Sequence, residues 1–89
     1  MARSTLLFES EERRDRQDVA AFLHALADKL AEGQIVLQRG GEQTHLTVPA
    51  TVTLEIKAEE SARRGRPKRS LEIELEWTEG EESGVVTLG

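Results

Sequence analysis

The most constraining stretch in this chain lies near its end: Ser70-Leu71-Glu72-Ile73-Glu74-Leu75-Glu76-Trp77. From Leu71 to Trp77, apolar and acidic residues alternate without exception. Successive strand side chains point to opposite faces, so Leu71, Ile73, Leu75 and Trp77 share one face. Glu72, Glu74 and Glu76 share the other. A helix would scatter that pattern around its circumference, so the stretch predicts a half-buried β-strand. Such a strand needs a partner strand for its backbone and a second layer for its apolar face.

The rest of the chain supplies both. Val19, Phe22, Leu23, Leu26, Ala27 and Leu30 recur at helical spacing and form one apolar stripe. Asp15 is placed to cap the start of that helix, Asp18 suits the positive end of its dipole, and Gly33 suits a left-handed stop. The helix is predicted over residues 16–32. Residues 34–39 and 44–48 read as short strands joined through Gly40-Gly41, a tight-turn pair able to hold positive φ at both positions. Pro49 ends the second of them. Residues 51–59 read as a longer strand, with Val52, Leu54, Ile56 and Ala58 on one face. Residues 5–13 open with Leu6, Leu7 and Phe8 and then turn charged, which reads as a first strand running out into solvent. A helix starting at Leu6 is the competing reading, because Glu and Arg are good helix formers.

The expectation is an α+β fold in β-α-β-β-β-β order, an antiparallel β-sheet with one helix packed on one face. Its core would hold Val19, Phe22, Leu23, Leu26, Leu30, Leu54, Ile56, Ile73, Leu75 and Trp77. Residues 1–77 would form a single domain, and residues 78–89 a flexible acidic tail with a short apolar end at Val85–Leu88. With 89 residues there is room for one small domain. There is no Cys, so disulfide and thiolate chemistry are excluded, which fits a reducing compartment. No segment approaches the ~20 apolar residues of a membrane span, and the apolar run after Met1 is too short for a secretion signal. The expected location is cytoplasmic, away from any membrane.

These residues are similar to those of the amphi-Trp domain family, small prokaryotic domains named for an amphipathic strand that ends in Trp. Leu71-Glu72-Ile73-Glu74-Leu75-Glu76-Trp77 carries the resemblance. Phe8, the Ala20–Leu30 helix with Leu23, Ala27-Asp28 and Leu30, then Gly33 and Val48-Pro49, support it. It covers about residues 5–77. The resemblance implies the fold described above and no particular activity. The loop before the signature strand departs from it by being more strongly basic than it requires.

That loop is the sharpest electrostatic feature. Residues 63–69 carry five of the 12 basic residues and no acid. The other 82 residues hold 7 basic against 17 acidic ones, a net of −10, while the whole chain carries −5. Within Arg63-Arg64-Gly65-Arg66-Pro67-Lys68-Arg69, the core Arg64-Gly65-Arg66-Pro67 resembles the AT-hook of chromatin proteins. A narrow A·T minor groove concentrates negative potential and attracts Arg. By that resemblance Arg64, Gly65 and Arg66 would enter the groove and Pro67 would direct the chain away. Arg63, Lys68 and Arg69 would contact phosphates. The plainer reading is a solvated hairpin tip that balances an acidic body.

Catalytic chemistry finds little footing. His24 lies ~140° around the helix from Val19, facing solvent within reach of Asp28, and His45 sits on the outer face of its strand. They lack metal-ligand spacing, and no Gly-rich loop precedes a helix. The carboxylates of Glu72, Glu74 and Glu76 fall on an open face. The expectation is a protein that is not an enzyme, with no cofactor, no metal and no small-molecule substrate. It would be a binding or assembly module. One helix is too narrow to cover the apolar face of a five-strand sheet, so a homodimer meeting at Trp77 and Leu75 is the first partner to consider. A DNA-binding accessory role for residues 63–69 is the alternative.

Overall fold

The structure, a computed structural model of the chain, describes residues 3–62 and 64–79. The fold is α+β: one helix and four antiparallel strands in two small sheets. The strands divide between two compact units, Met1–Val48 and Pro49–Gly89.

In the first unit, helix α1 spans Arg16–Glu32, the bounds expected from its apolar stripe and its flanking residues. Asp15 takes the extended N-cap conformation, and the amide of Val19 donates to its carbonyl at 3.0 Å. The Asp15 side chain makes no capping hydrogen bond. At the other end Gly33 turns left-handed, with φ 82°, and its amide donates to the carbonyl of Leu30. The chain then enters a strand without a linker. Strand β1 (Gln34–Arg39) pairs antiparallel with β2 (Glu42–Thr47), with Ile35 opposite Leu46 and Leu37 opposite Thr44. Val48 continues past the ladder and donates its amide to the Gly33 carbonyl at 2.8 Å. A Cβ on Gly33 would lie 3.3 Å from the Val48 carbonyl oxygen. This position therefore excludes side chains on two counts, its φ and its neighbour. Of the Gly40-Gly41 pair, only Gly40 takes a positive φ, 60°. One such position is enough for a type II′ hairpin.

Helix α1 packs against β1. The most buried residues among those described are Ile35 and Val48, 6% and 8% exposed, and Leu26, Leu30, Leu37 and Leu46 are half-buried. The core expected from the sequence is displaced accordingly. Leu26 and Leu30 belong to it, whereas Val19, Phe22, Leu23, Leu54, Ile56 and Ile73 remain exposed and Ile35 and Val48 take the central places. A two-stranded sheet is only ~10 Å wide at the usual strand spacing, so it covers the C-terminal half of the helical stripe and leaves the rest open.

The first strand expected over residues 5–13 does not form; residues 3–15 have no regular secondary structure. One side-chain bond ties the segment to β2, with the Thr44 hydroxyl donating to the Leu7 carbonyl at 3.2 Å. Three apolar residues followed by a charged run bury too little to offset the ordering of a strand. Phe8 is half-buried, and Leu6 and Leu7 are exposed.

In the second unit, β3 (Thr53–Ser61) pairs antiparallel with β4 (Lys68–Glu76) along the full length of both strands. The continuous meander expected from the sequence is instead two separate two-stranded sheets. Pro49 lacks an amide proton, and residues 48–52 carry no ladder, so strand pairing stops there. The strand expected from Thr51 starts at Thr53 and runs to Ser61. The tail expected over residues 78–89 falls outside the described residues beyond Glu79.

Candidate functional site

The described residues that the sequence singled out for binding lie in the β3–β4 hairpin or, for Trp77, immediately after it. The hairpin's register fixes what each face presents. Leu54 lies opposite Leu75, Ile56 opposite Ile73, Ala58 opposite Leu71 and Glu60 opposite Arg69. Directly opposed residues share a face, so this is the apolar ladder, closed at the loop end by an ion pair. The Arg69 Nε donates to Glu60 Oε1 at 2.6 Å. The ladder is open to solvent: Ile56 is 62% exposed and Leu71 68%. Leu75 and Trp77, at the base of the hairpin, are half-buried.

The other face sets Glu55 opposite Glu74, Lys57 opposite Glu72, Glu59 opposite Ser70 and Ser61 opposite Lys68. Lys57 Nζ reaches Glu72 Oε2 at 3.7 Å. Glu55 and Glu74 have no cation between them. The Glu55 carboxyl is held above its ordinary pKa, first because it shares a hydrogen bond with Glu74 and next because of that residue's charge. Such a bond forms only while one of the two carboxyls keeps a proton. The sequence shows Glu72, Glu74 and Glu76 as one acidic face but gives no hint of this contact. Only the hairpin register places Glu55 across from Glu74.

At the tip, Arg64, Gly65 and Arg66 form a bend, with Gly65 left-handed at φ 86°. Pro67 follows, and Lys68 and Arg69 are already strand residues of β4. Arg63 lies outside the described residues. The described part of the basic loop, residues 64–69, is thus a short turn plus the first residues of a strand. Arg69 is engaged by Glu60, whereas Arg64, Arg66 and Lys68 make no ion pair among the described residues.

Charge is therefore graded along the hairpin. The base, residues 53–57 and 72–76, holds Glu55, Glu72, Glu74 and Glu76 against the single cation Lys57. The tip half, residues 58–71, holds the five basic residues of 63–69 against Glu59 and Glu60.

The first unit offers two clefts. One, of about 450 Å³, lies where Phe8, Val19, Phe22 and Val36 leave apolar surface open. The polar groups at its edge engage each other: Arg14 binds Glu12 at 2.7 Å and lies 3.9 Å from Asp18. That contact with Glu12 raises the Arg14 pKa further above its already high value. A shallower one, of about 270 Å³, lies between Leu6–Glu9 and the Arg39–Glu42 turn. His24 and His45 lie outside both, and no ion pair joins His24 to Asp28. Among the described residues no group of three or more His, Cys, Asp or Glu side chains is placed to hold a metal. No helix of the described residues is long and apolar enough to cross a membrane.

Comparison with known protein families supplies the remaining evidence. The amphi-Trp domain model matches residues 1–88. The chain belongs to the amphi-Trp domain family. Comparisons with curated proteins and with solved structures give no match. In this amphi-Trp domain the amphipathic strand is β4, with Trp77 immediately after its last residue, and β3 is the partner that fixes its faces.

Proposed function

We propose that this amphi-Trp domain is a non-enzymatic binding module that assembles with a second copy of itself through the β3–β4 hairpin. The carrying observation is the charge gradient on a two-stranded sheet. A two-stranded hairpin alone is marginally stable in water and gains stability from further strands or a covering layer. This one has an exposed apolar ladder and an acidic base opposed to a basic tip. Two copies related by a two-fold axis set antiparallel would bring each tip to the other's base, a self-complementary match. The contact then rests more on Leu71 and Ile73, which are exposed, than on Leu75 and Trp77, which are already half-buried. Even a whole face of the hairpin measures only roughly 300 Å², from a ~3.4 Å rise and ~4.8 Å strand spacing, and a contact through one edge is smaller still. That is small for a permanent interface, so the dimer should dissociate on dilution. Light scattering or sedimentation over a concentration series tests this. A mass rising above the 9.9 kDa of one chain supports it, and a monomer at every concentration rejects it.

A second reading has its own observation. Arg64, Arg66 and Lys68 are cations without ion-pair partners among the described residues, gathered at one turn. This favours contact with A·T-rich duplex DNA through the minor groove, with Arg64 and Arg66 leading. The acidic remainder of the chain opposes it. Binding of A·T-rich duplex should fall steeply as salt rises, and Arg66→Ala should weaken it. Absence of binding at about 50 mM salt removes this reading.

A further inference from the structure

We propose that β4 pairs edge to edge with β4 of a second copy, antiparallel, with Leu71 on the two-fold axis, making one four-stranded sheet. This rests on the self-association proposed above and specifies its geometry.

The outer edge of β4 pairs with no strand among the described residues, and an unpaired strand edge is a template for a further strand. Pairing must keep the apolar face continuous. A shift by one residue would set Leu71 and Ile73 against glutamates, so only registers that oppose odd with odd positions remain. Among these, the charges choose. With Leu71 on the axis, Lys68 faces Glu74 of the second copy, Ser70 faces its Glu72, and Ile73 faces the stem of its Arg69. No like charges are opposed. Centring on Glu72 would set that carboxylate against its own copy. Centring on Ile73 would set Glu72 against Glu74. Centring on Ser70 would shorten the ladder from Lys68–Glu74 to Lys68–Glu72, because Pro67 and the bend at residues 64–66 are not strand.

Two observations favour the β4 edge over the β3 edge. The cation on β3, Lys57, is already paired with Glu72 at 3.7 Å. Lys68 lies across from Ser61 and makes no ion pair among the described residues. Within one hairpin, Glu74 has only Glu55 opposite it. The joined sheet gives it Lys68 of the second copy on its other side. Two such contacts form across the axis, and each offsets a like-charge pair.

Since the chain contains no Cys, single cysteines report the register directly. Opposed residues in antiparallel strands lie ~4.5–5.5 Å apart between Cα atoms, within the range a disulfide spans. Leu71→Cys should crosslink under mild oxidation at least about tenfold faster than Glu72→Cys, Ile73→Cys or Ile56→Cys. Independently, Lys68→Glu should weaken dimerisation roughly two- to thirtyfold, from two pairs of typical cross-strand strength. Lys68→Glu combined with Glu74→Lys should restore it. A dimer that crosslinks at Glu72→Cys or Ile56→Cys, or that ignores the charge swap, overturns this register and leaves self-association standing. A chain that is monomeric at every concentration overturns both.

Discussion

The two units of this protein solve the same problem differently. The first puts a helix against a short hairpin and sinks Ile35 and Val48 between them. The second is a longer hairpin with no buried residue among those described, and its apolar ladder faces water. One unit gains stability by packing within itself, and the other presents its side chains outward. A region that keeps such a ladder accessible is suited to contact, whereas the packed unit is suited to support. This contrast, rather than any single residue, is what directs the functional reading to β3–β4.

Substitutions should expose the contrast most sharply in the cores. Ile35→Ala should cost ~2–5 kcal/mol, the usual range for truncating a buried Ile, in denaturant unfolding followed by the helix signal. Ile56→Ala in the monomer should cost under ~1 kcal/mol, because the side chain is already mostly in water. Comparable losses at the two sites would show that the ladder is packed in solution and would break the comparison. Next in size, Gly33→Ala should cost ~1–2 kcal/mol, since a side chain there must take the left-handed conformation and crowd the Val48 carbonyl.

Electrostatic changes should be smaller and confined to the second unit. Glu55→Gln should stabilise the β3–β4 hairpin slightly, read as slower amide exchange in those strands, by removing a like-charge cross-strand pair. Acidification should act in the same direction. The raised pKa of Glu55 means that the folded hairpin binds a proton more readily than the unfolded chain does. Its contribution to stability is therefore present when the carboxyl is protonated and lost as pH rises through the raised pKa. Lowering pH into the carboxylate range should increase protection at Glu55 and Glu74, and Glu55→Gln should abolish that increment. The smallest effect belongs to Asp15→Ala. With no side-chain cap bond to lose, it should fall below the ~1 kcal/mol typical of an N-cap, as measured by thermal unfolding.

How much of this was legible in the chain depended on how local the signal was. The helix is bounded by residues beside it, Asp15 and Gly33, and its limits follow from them. Residues 34–39 likewise declare their strand by composition. The β4 alternation predicted a two-faced strand, which the register confirms. Pairing between distant strands has no such local mark, so a continuous sheet was expected where two hairpins form. The N-terminal segment misled because Leu6-Leu7-Phe8 has strand composition without a ladder partner. In the candidate site, the basic residues stood out in the sequence, but the Glu60–Arg69 bond and the Glu55–Glu74 contact did not. Both are set by which residue falls opposite which, a property of the folded hairpin rather than of either strand.

The half-buried Trp77 has a practical consequence for studying the molecule. It is the only Trp, and the chain has no Tyr, so near-ultraviolet absorbance and intrinsic fluorescence come almost wholly from the base of the second unit. The helical dichroism of the described residues comes wholly from the first. Two ordinary spectroscopic signals thus watch different halves of the same small protein. If they melt at different temperatures, each half keeps its own thermodynamic account, and the emission colour of one indole reports on the hairpin alone.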